Sequence, residues 1–397
     1  MNRHFLLTIS IVTAVTLSAQ DLSEFNSAVL DITANNLQVK IDSLSQDSQI
    51  ASMKSANMLS DPEIEVSHLR GMHGIGSKTG VDVKQSFDWP SVYSARKNHI
   101  EAQRSINNLA LRSKYLETAT EVGNTLIEFI YTKRKLNLCK EINTYVDSLY
   151  YAYKKGVDSG QISILDLNKV AIERISCTRN FNEVRDRLNN LTSKLSALNG
   201  YIPIGDMLQT VSDYPEWQIK SLDDYLYEVR LNNPNLKYGE KAIDAIKHEK
   251  KVLNASRFPS LSIGYSFERE MDEYFNGVSI GMTLPIYSRK HQNESLTIRE
   301  LQIQTQNQDL IGREENDIRR TYTDLTNNLS EIEEYEPIVM SVNNFLLLRK
   351  AFQGGQISLL EYLADIKYFL EARIKYEDTL FQYNMNAFML NRLSLIL

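Results

Sequence analysis

The chain has 397 residues, of which 24% are charged, and 50 acidic against 44 basic side chains give a net charge of −6. That balance excludes a broadly basic nucleic-acid binder, and a mean hydropathy of −0.34 excludes a bundle of membrane helices. Only 8 Pro and 16 Gly are present. They cluster near residues 71–90, 156–160, 200–205, 259–285 and 354–355, leaving helix-length stretches almost free of breakers.

Met1 to His4 form a short positive start, Phe5 to Leu17 an apolar core too short to span a bilayer with ease, and Ser18-Ala19 a small-residue cleavage site. Residues 1–19 therefore read as a secretory signal peptide, with an uncleaved anchor helix as the alternative. No Cys follows that could carry a lipid anchor. Strands are expected at 62–69 and 80–88, where Ile64, Val66, Val81 and Val83 alternate with Glu63, Glu65, Asp82 and Lys84. From Ser91 to about Asp158 apolar residues recur at helical spacing, and after a turn at Gly160 a second helix carries Leu188, Leu191, Leu195 and Leu198. Spacings of three and four make the narrow stripe of a coiled coil. A ~65-residue helix would be about 100 Å long, so a protruding antiparallel hairpin is expected, with several shorter helices as the alternative. Cys139 and Cys177 lie on its two arms, more than one turn out of level, so two free thiols are expected.

After a short linker at 201–220 the pattern returns. Strands are expected at 259–268 and 276–285, a helix from about Arg289 to Gln353, and after Gly355 a helix carrying Leu359, Leu363, Ile366, Leu370 and Ile374. Gly160-Gln161-Ile162-Ser163-Ile164-Leu165-Asp166-Leu167 recurs as Gly355-Gln356-Ile357-Ser358-Leu359-Leu360-Glu361-Tyr362. Asp61-Pro62 matches Phe258-Pro259, Gly80-Val81 matches Gly277-Val278, Phe87 matches Leu284 and Ser91 matches Ser288, all at one spacing. A duplication this long is a whole structural unit: a first repeat at 20–200 and a second at 221–397.

Each strand is close to the ~9–11 residues that a tilted strand needs to cross a bilayer. Leu261, Ile263, Tyr265, Phe267, Val278, Ile280, Met282 and Leu284 are expected to face lipid, and the charges of the first pair, all on one face, a water-filled lumen. An amphipathic hairpin packed on a soluble core is the alternative. Four strands cannot close a barrel, and an open edge in lipid leaves backbone groups unpaired. Spanning a membrane would therefore require several chains sharing one barrel.

Further marks are Ser221-Leu222-Asp223-Asp224-Tyr225, then Asn232-Asn233-Pro234-Asn235-Leu236, Arg257-Phe258-Pro259-Ser260-Leu261-Ser262 entering a strand, and Leu284-Pro285 leaving it. Asn35-Asn36-Leu37 is a first-half echo of the second of these, and each half has a Gly-containing turn with Asp166 or Glu361. By their order and duplication, the chain resembles the TolC-type outer-membrane efflux family over nearly its whole mature length. The resemblance implies a mainly α fold with a membrane β part: long antiparallel coiled-coil hairpins plus four transmembrane strands per chain. It implies a homotrimeric α/β barrel in outer-membrane lipid, with a tunnel reaching through the periplasm to a periplasmic adaptor (membrane-fusion) protein bound to an inner-membrane pump. Such a duct catalyses nothing and needs no cofactor. A secreted coiled-coil structural or adhesion protein without a pore is the alternative.

At both turns Gly160 and Gly355 suit the left-handed conformation, Ser163 and Ser358 can cap the next helix, and Asp166 and Glu361 stand at its third position, so a capping box is expected in each. These residues are turn-makers whatever else they do. The resemblance implies adaptor contact for Gly160, Gln161, Ser163, Gly355, Gln356 and Ser358, and an acidic tunnel mouth at Asp166, Glu361 and Asp365 that selects against anions. Phe352 and Ile357 stand where well-known members place gate-locking polar residues, so an identical charge lock is not expected. His68, Met72 and His73 lie on a strand-linking loop without fixed geometry, so no metal site is assigned. The glycines at 71–80 lack the Lys-Ser/Thr ending of a phosphate loop, and no Ser has convincing His and Asp partners.

Overall fold

The computed structural model describes residues 22–71, 76–211, 213–271, 273–285, 290–339 and 343–396. The signal-peptide expectation for 1–19 lies outside them, as do Met72, His73 and Ser288. In chain order the elements are α1 (22–35), α2 (Leu37–Ser55), β1 (Glu63–Arg70), β2 (Ser77–Phe87), α3 (Pro90–Asp158), α4 (Ile164–Leu198), the single turn α5 (Met207–Thr210), α6 (Leu222–Asn232), α7 (Pro234–Ala255), β3 (Ser260–Glu270), β4 (Glu273–Thr283), α8 (Lys290–Val339), α9 (Asn343–Gln353) and α10 (Leu359–Asn391), then a 3₁₀ turn at Arg392–Ile396. The fold is mainly helical with one antiparallel sheet.

The duplication shows in the caps. Asn36 breaks α1 from α2 and its Oδ1 accepts from the Gln38 and Val39 amides at 2.9 and 3.3 Å. Asn233 stands at the matching place before α7 and accepts from the Asn235 amide at 2.9 Å, with Pro234 at the first helical position, where its missing N–H costs nothing. Both are N-cap side chains satisfying orphan helix donors.

The chain divides into two compact units that cut across the repeats. One, Ile41–Ser113 with Asn233–Arg313, carries the sheet, in the order β1-β2-β3-β4. Its ladders run past the expected ends on the turn side, pairing Arg70 with Ser77 and Glu270 with Glu273. The reason is that Lys78, Arg269 and Glu270 interrupt the apolar alternation without interrupting backbone pairing. In the same unit, Ile106 of α3 packs against Ala242 and Ala245 of α7 and Ile303 of α8.

The other unit, Met1–Lys40 with Lys114–Asn232 and Glu314–Leu397, is helical. Polar and ring contacts run from α4 to α3 (Arg174–Asp147, 2.6 Å; Lys194–Glu121, 3.0 Å), from α3 to α10 (Arg134–Glu377, 2.8 Å; Tyr131–Asp378), and from α10 to α8 and α9 (Thr379–Glu331, 3.4 Å; Phe352 stacked on Tyr362). The second long helix, expected from about Arg289 to Gln353, is helical on both sides of residues 340–342, which lie outside the described residues. It is described as α8 and α9, and α8 contains Pro337, which removes a helix donor near its end. The two thiols are free, as read from the sequence. Cys139 lies beside Asn180 and Thr178 beside Asn143, which keeps the thiols about a turn out of level.

The core of this unit joins Phe25, Val29 and Ile32 of α1, Val122, Leu126, Ile127 and Ile130 of α3, Leu191 and Leu195 of α4, and Phe388 of α10. A Cβ on Gly123 would lie 2.0 Å from Phe388 Cζ, so a hydrogen at that position is what admits the ring. The linker straps across this core. Trp217 makes edge-on contact with Phe25 at 5.7 Å and donates from Nε1 to Asn384 Oδ1 at 2.9 Å, while Asp213 reaches Arg134 at 2.9 Å. Phe388→Ala is expected to lower stability by about 3–5 kcal/mol, measured by denaturant unfolding. A loss below 1 kcal/mol would show that this cluster is not the packing centre.

Candidate functional site

The two hairpin turns are built alike at the backbone. Gly160 and Gly355 take φ of +71° and +69°, and open space surrounds the place of a Cβ at each. The Gln161 amide donates to the Gly156 carbonyl and Gly160 to Val157, at 2.8 and 3.0 Å. In the second turn Gln356 donates to Ala351 and Gly355 to Phe352, at 2.9 and 3.0 Å. This double closure is the Schellman arrangement, and it leaves Gly160, Gln161, Gly355 and Gln356 exposed at the tips.

The caps differ, and one expectation is corrected here. Ser358 accepts from the Glu361 amide while Glu361 accepts from the Ser358 amide at 2.8 Å, a complete capping box. Ser163 instead accepts from the Leu165 amide, and Asp166 pairs with Lys169 at 2.9 Å. Asp is one methylene shorter than Glu and does not close the box. Of the three acids expected at a tunnel mouth, Asp166 is paired within its own helix, while Glu361 is exposed and held below the usual carboxylate range by the Ser358 amide and hydroxyl. Asp365 is exposed one turn further along α10.

Two features near the turns were not singled out from the sequence. Phe352 stacks on the buried Tyr362 at 4.4 Å, so an aromatic pair stands where a polar lock was considered. Arg174, fixed by Asp147, lies 4.7 Å over the Tyr150 ring and 5.5 Å over Tyr151. Close spacing of aromatic residues on α3 signals the cluster; the Arg comes from the opposite arm, and only the hairpin register supplies it. On both arms Cys139 and Cys177 are pushed up by burial, Cys177 to about 11, so neither is a reactive thiolate at neutral pH.

The sheet presents two unlike faces. Directly opposed residues share a face, so Leu261, Ile263, Tyr265 and Phe267 lie with Met282, Ile280, Val278, Phe87, Val83, Val81, Ile64 and Val66. This face is open: Ile280 is 80% exposed. Leu284 follows the last residue of β4 and is exposed as well. Aromatic residues flank the face, Phe267 with Tyr274 at the turn end and Trp89 stacked on Phe258 at the helix end. The other face carries Glu63, Glu65, Asp82 and Lys84 on β1 and β2, and only Ser, Gly and Thr from Ser260 to Ser266 and from Gly277 to Thr283. His68, the described member of the loop trio, meets Thr79 at 2.8 Å, and the described residues hold no cluster of three His, Cys, Asp or Glu.

No protein-family model and no curated protein matches the chain. Solved structures do. The CmeC outer membrane channel of Campylobacter jejuni matches with a TM-score of 0.71 at 14% identity, over 93% of this chain and 85% of that one. VceC, an outer membrane protein of Vibrio cholerae, matches with 0.69 at 11% identity, over 94% and 95%. CusC, described as forming a transmembrane channel, matches with 0.68 at 16% identity, over 94% and 92%. The chain has the TolC-type channel fold. That fold accounts for the long hairpins and for a sheet with an apolar and a polar face.

The capping box gives a pH prediction. Because the Glu361 pKa is lowered in the fold, its stabilisation is present above the ordinary value of 4.5 and is lost as pH falls through the lower folded value. Hydrogen exchange at the first turn of α10 should therefore accelerate, relative to that of α4, in strong acid. Glu361→Gln keeps the acceptor without the charge and should flatten that difference; unchanged acid sensitivity in this variant would remove Glu361 as its source.

Proposed function

We propose that the chain is one protomer of a homotrimeric outer-membrane export channel, a passive duct from a periplasmic adaptor and inner-membrane pump to the exterior. The observation carrying this reading is the four-stranded sheet with two free edges, an exposed apolar face ringed by aromatic residues, and an opposite face too small and polar to be a core. A free edge is not tolerated in hydrocarbon. Pairing β4 of each copy with β1 of the next closes the sheet, and three copies make twelve strands.

The helical unit repeats this logic. Its contacts leave α4 at one margin and α8–α9 at the other, and both margins expose apolar residues: Ile172 and Ile175 on α4, Ile338 on α8 and Leu347 on α9. Margins that complement one another suit a heterologous interface, which closes into a ring. Glu361 and Asp365 are the acids available to a tunnel mouth; Asp166 is committed to Lys169.

Cysteine introduced at Ile263, Tyr265, Val278 or Ile280 should resist a water-soluble maleimide in membranes, whereas Ser262 and Ser279 positions should label. The reverse pattern would overturn the assignment of faces. Ile263→Arg near the bilayer midplane should cost ~2–4 kcal/mol. Native sizing of detergent-extracted material should give a trimer; a water-soluble monomer would end the channel reading.

A further inference from the structure

The open face of the sheet changes character at its turn end. Directly opposed residues form one row across all four strands, His68 with Thr79, Thr79 with Arg269 and Arg269 with Tyr274. One step further out on the same face, Arg70 is opposed to Ser77. Toward the helices the face holds Ile, Leu, Val, Phe, Tyr and Met apart from Gln85 and Asn276. From Thr79 to Phe87 is eight residues, or ~27 Å of strand, which a tilt of ~40° reduces to about 20 Å of height. The Trp89–Phe258 stack continues the band beyond Phe87. The basic row therefore lies one apolar band away from that stack, at the level where hydrocarbon gives way to headgroups.

His68, Arg70 and Arg269 are all exposed. Arg269 lies 5.4 Å from the Tyr274 ring centroid and donates from Nε to the Met271 carbonyl at 3.4 Å, with no bond to its terminal nitrogens among the described residues. Arg70 has no ion pair or side-chain hydrogen bond among the described residues. The carboxylates of this end stand on the other face, Glu268 opposite Gly80, Glu270 opposite Lys78 and Glu273 opposite Glu270, and Lys78 pairs there with Glu268 at 2.7 Å. Asp272 and His73, in the two turns, lie outside the described residues. Neighbouring strands are ~4.8 Å apart, so the two arginines, two strands and two residues distant, have Cα atoms ~12 Å from one another. Thr79, on the strand between them, adds a hydroxyl.

We propose that Arg70 and Arg269 form a binding site for the phosphate of an anionic lipid in the leaflet farther from α3, α7 and α8. A guanidinium fork matches phosphate oxygens in pairs, and clustered cations at the headgroup level select anionic lipids. The occupant is a lipid rather than a free phosphate because the basic row is continuous with the exposed surface of Val66, Val81 and Phe267, on which acyl chains lie. This site rests on the export-channel reading, which puts that surface in a bilayer.

The test uses the detergent-extracted full chain and native mass spectrometry in an equimolar mixture of chain-matched phosphatidylglycerol and phosphatidylcholine. Wild-type trimers should retain phosphatidylglycerol at least fivefold over phosphatidylcholine. Arg70→Gln with Arg269→Gln should bring that ratio below two, whereas Lys78→Gln, which removes a cation at the same level on the opposite face, should leave it unchanged. Inorganic phosphate at 10 mM and constant ionic strength should lower retention less than twofold. A wild-type ratio near one, an equal loss in Lys78→Gln, or a fivefold loss to inorganic phosphate, which would assign the arginines to a soluble anion, each overturns the proposal. Should the double variant give no trimers, Thr79→Arg decides: it adds a cation to the row and should at least double the ratio, and an unchanged ratio overturns the site. If wild-type trimers are recovered, only the lipid site falls; a water-soluble wild-type monomer would take the channel reading with it.

Discussion

A backbone amide in hydrocarbon must find a partner, and an unpaired one costs several kcal/mol. The sheet of this protein satisfies its inner strands and leaves the outer sides of β1 and β4 open. Neither face can be reassigned to relieve this. The Ser, Gly and Thr face has no bulk with which to fill a core, since Gly264 lies opposite Ser279 and Gly281 opposite Ser262, while the Ile and Val face is exposed, with no helix over it among the described residues. Apolar surface outward, hydroxyl surface inward and two free edges are mutually consistent when the edges close on other copies in a bilayer.

The helical part is held by different means. Most ion pairs along the hairpins join exposed side chains and are worth ~0–1 kcal/mol each. Fixed packing is concentrated where α1, α3, α4 and α10 meet around Phe25 and Phe388 and where the linker crosses them. Arg134 joins three segments there, bonding Glu377 on α10 and Asp213 in the linker while lying 5.5 Å over the Tyr214 ring. The turns at Gly160 and Gly355 are remote from this centre along the chain. Their shape can be altered at a cost of roughly 1–2 kcal/mol, the penalty for a non-glycine residue in the left-handed region, without disturbing what keeps the fold.

Much of this was legible because it rests on local rules. Period-two alternation located four strands, period 3.6 located the hairpins, and repetition of Gly-Gln-Ile-Ser located both reversals. The Asn-Asn echo at 35–36 and 232–233 was legible as repetition, while the capping role of Asn36 and Asn233 came from the structure. What escaped depends on reach or on distant partners. Asp166 and Glu361 look equivalent in a sequence, and one methylene decides which closes its box. Pro337 was passed over within a strongly helical run. Trp217 gives no sign in a short linker that it will sit between Phe25 and Phe388. The α3–α10 register was invisible for the same reason, since it is set by Tyr131, Arg134 and residues some 240 positions away.

Duplication followed by divergence gives the two halves the same order of elements with different side chains. In the sheet, the first repeat spreads its charges along the polar face as Glu63, Glu65, Asp82 and Lys84, whereas the second confines Glu268, Glu270 and Glu273 to the turn end and leaves Ser, Gly and Thr along the rest. At the turns the division is reversed in kind, with an exposed aliphatic pair on the first and a capped, acidic helix start on the second. In the three-copy ring proposed above, the backbone would approach six-fold repetition while the chemistry remained three-fold. The strand pairs and helical hairpins are shared by the repeats as backbone; their side chains differ at the positions where the repeats have diverged.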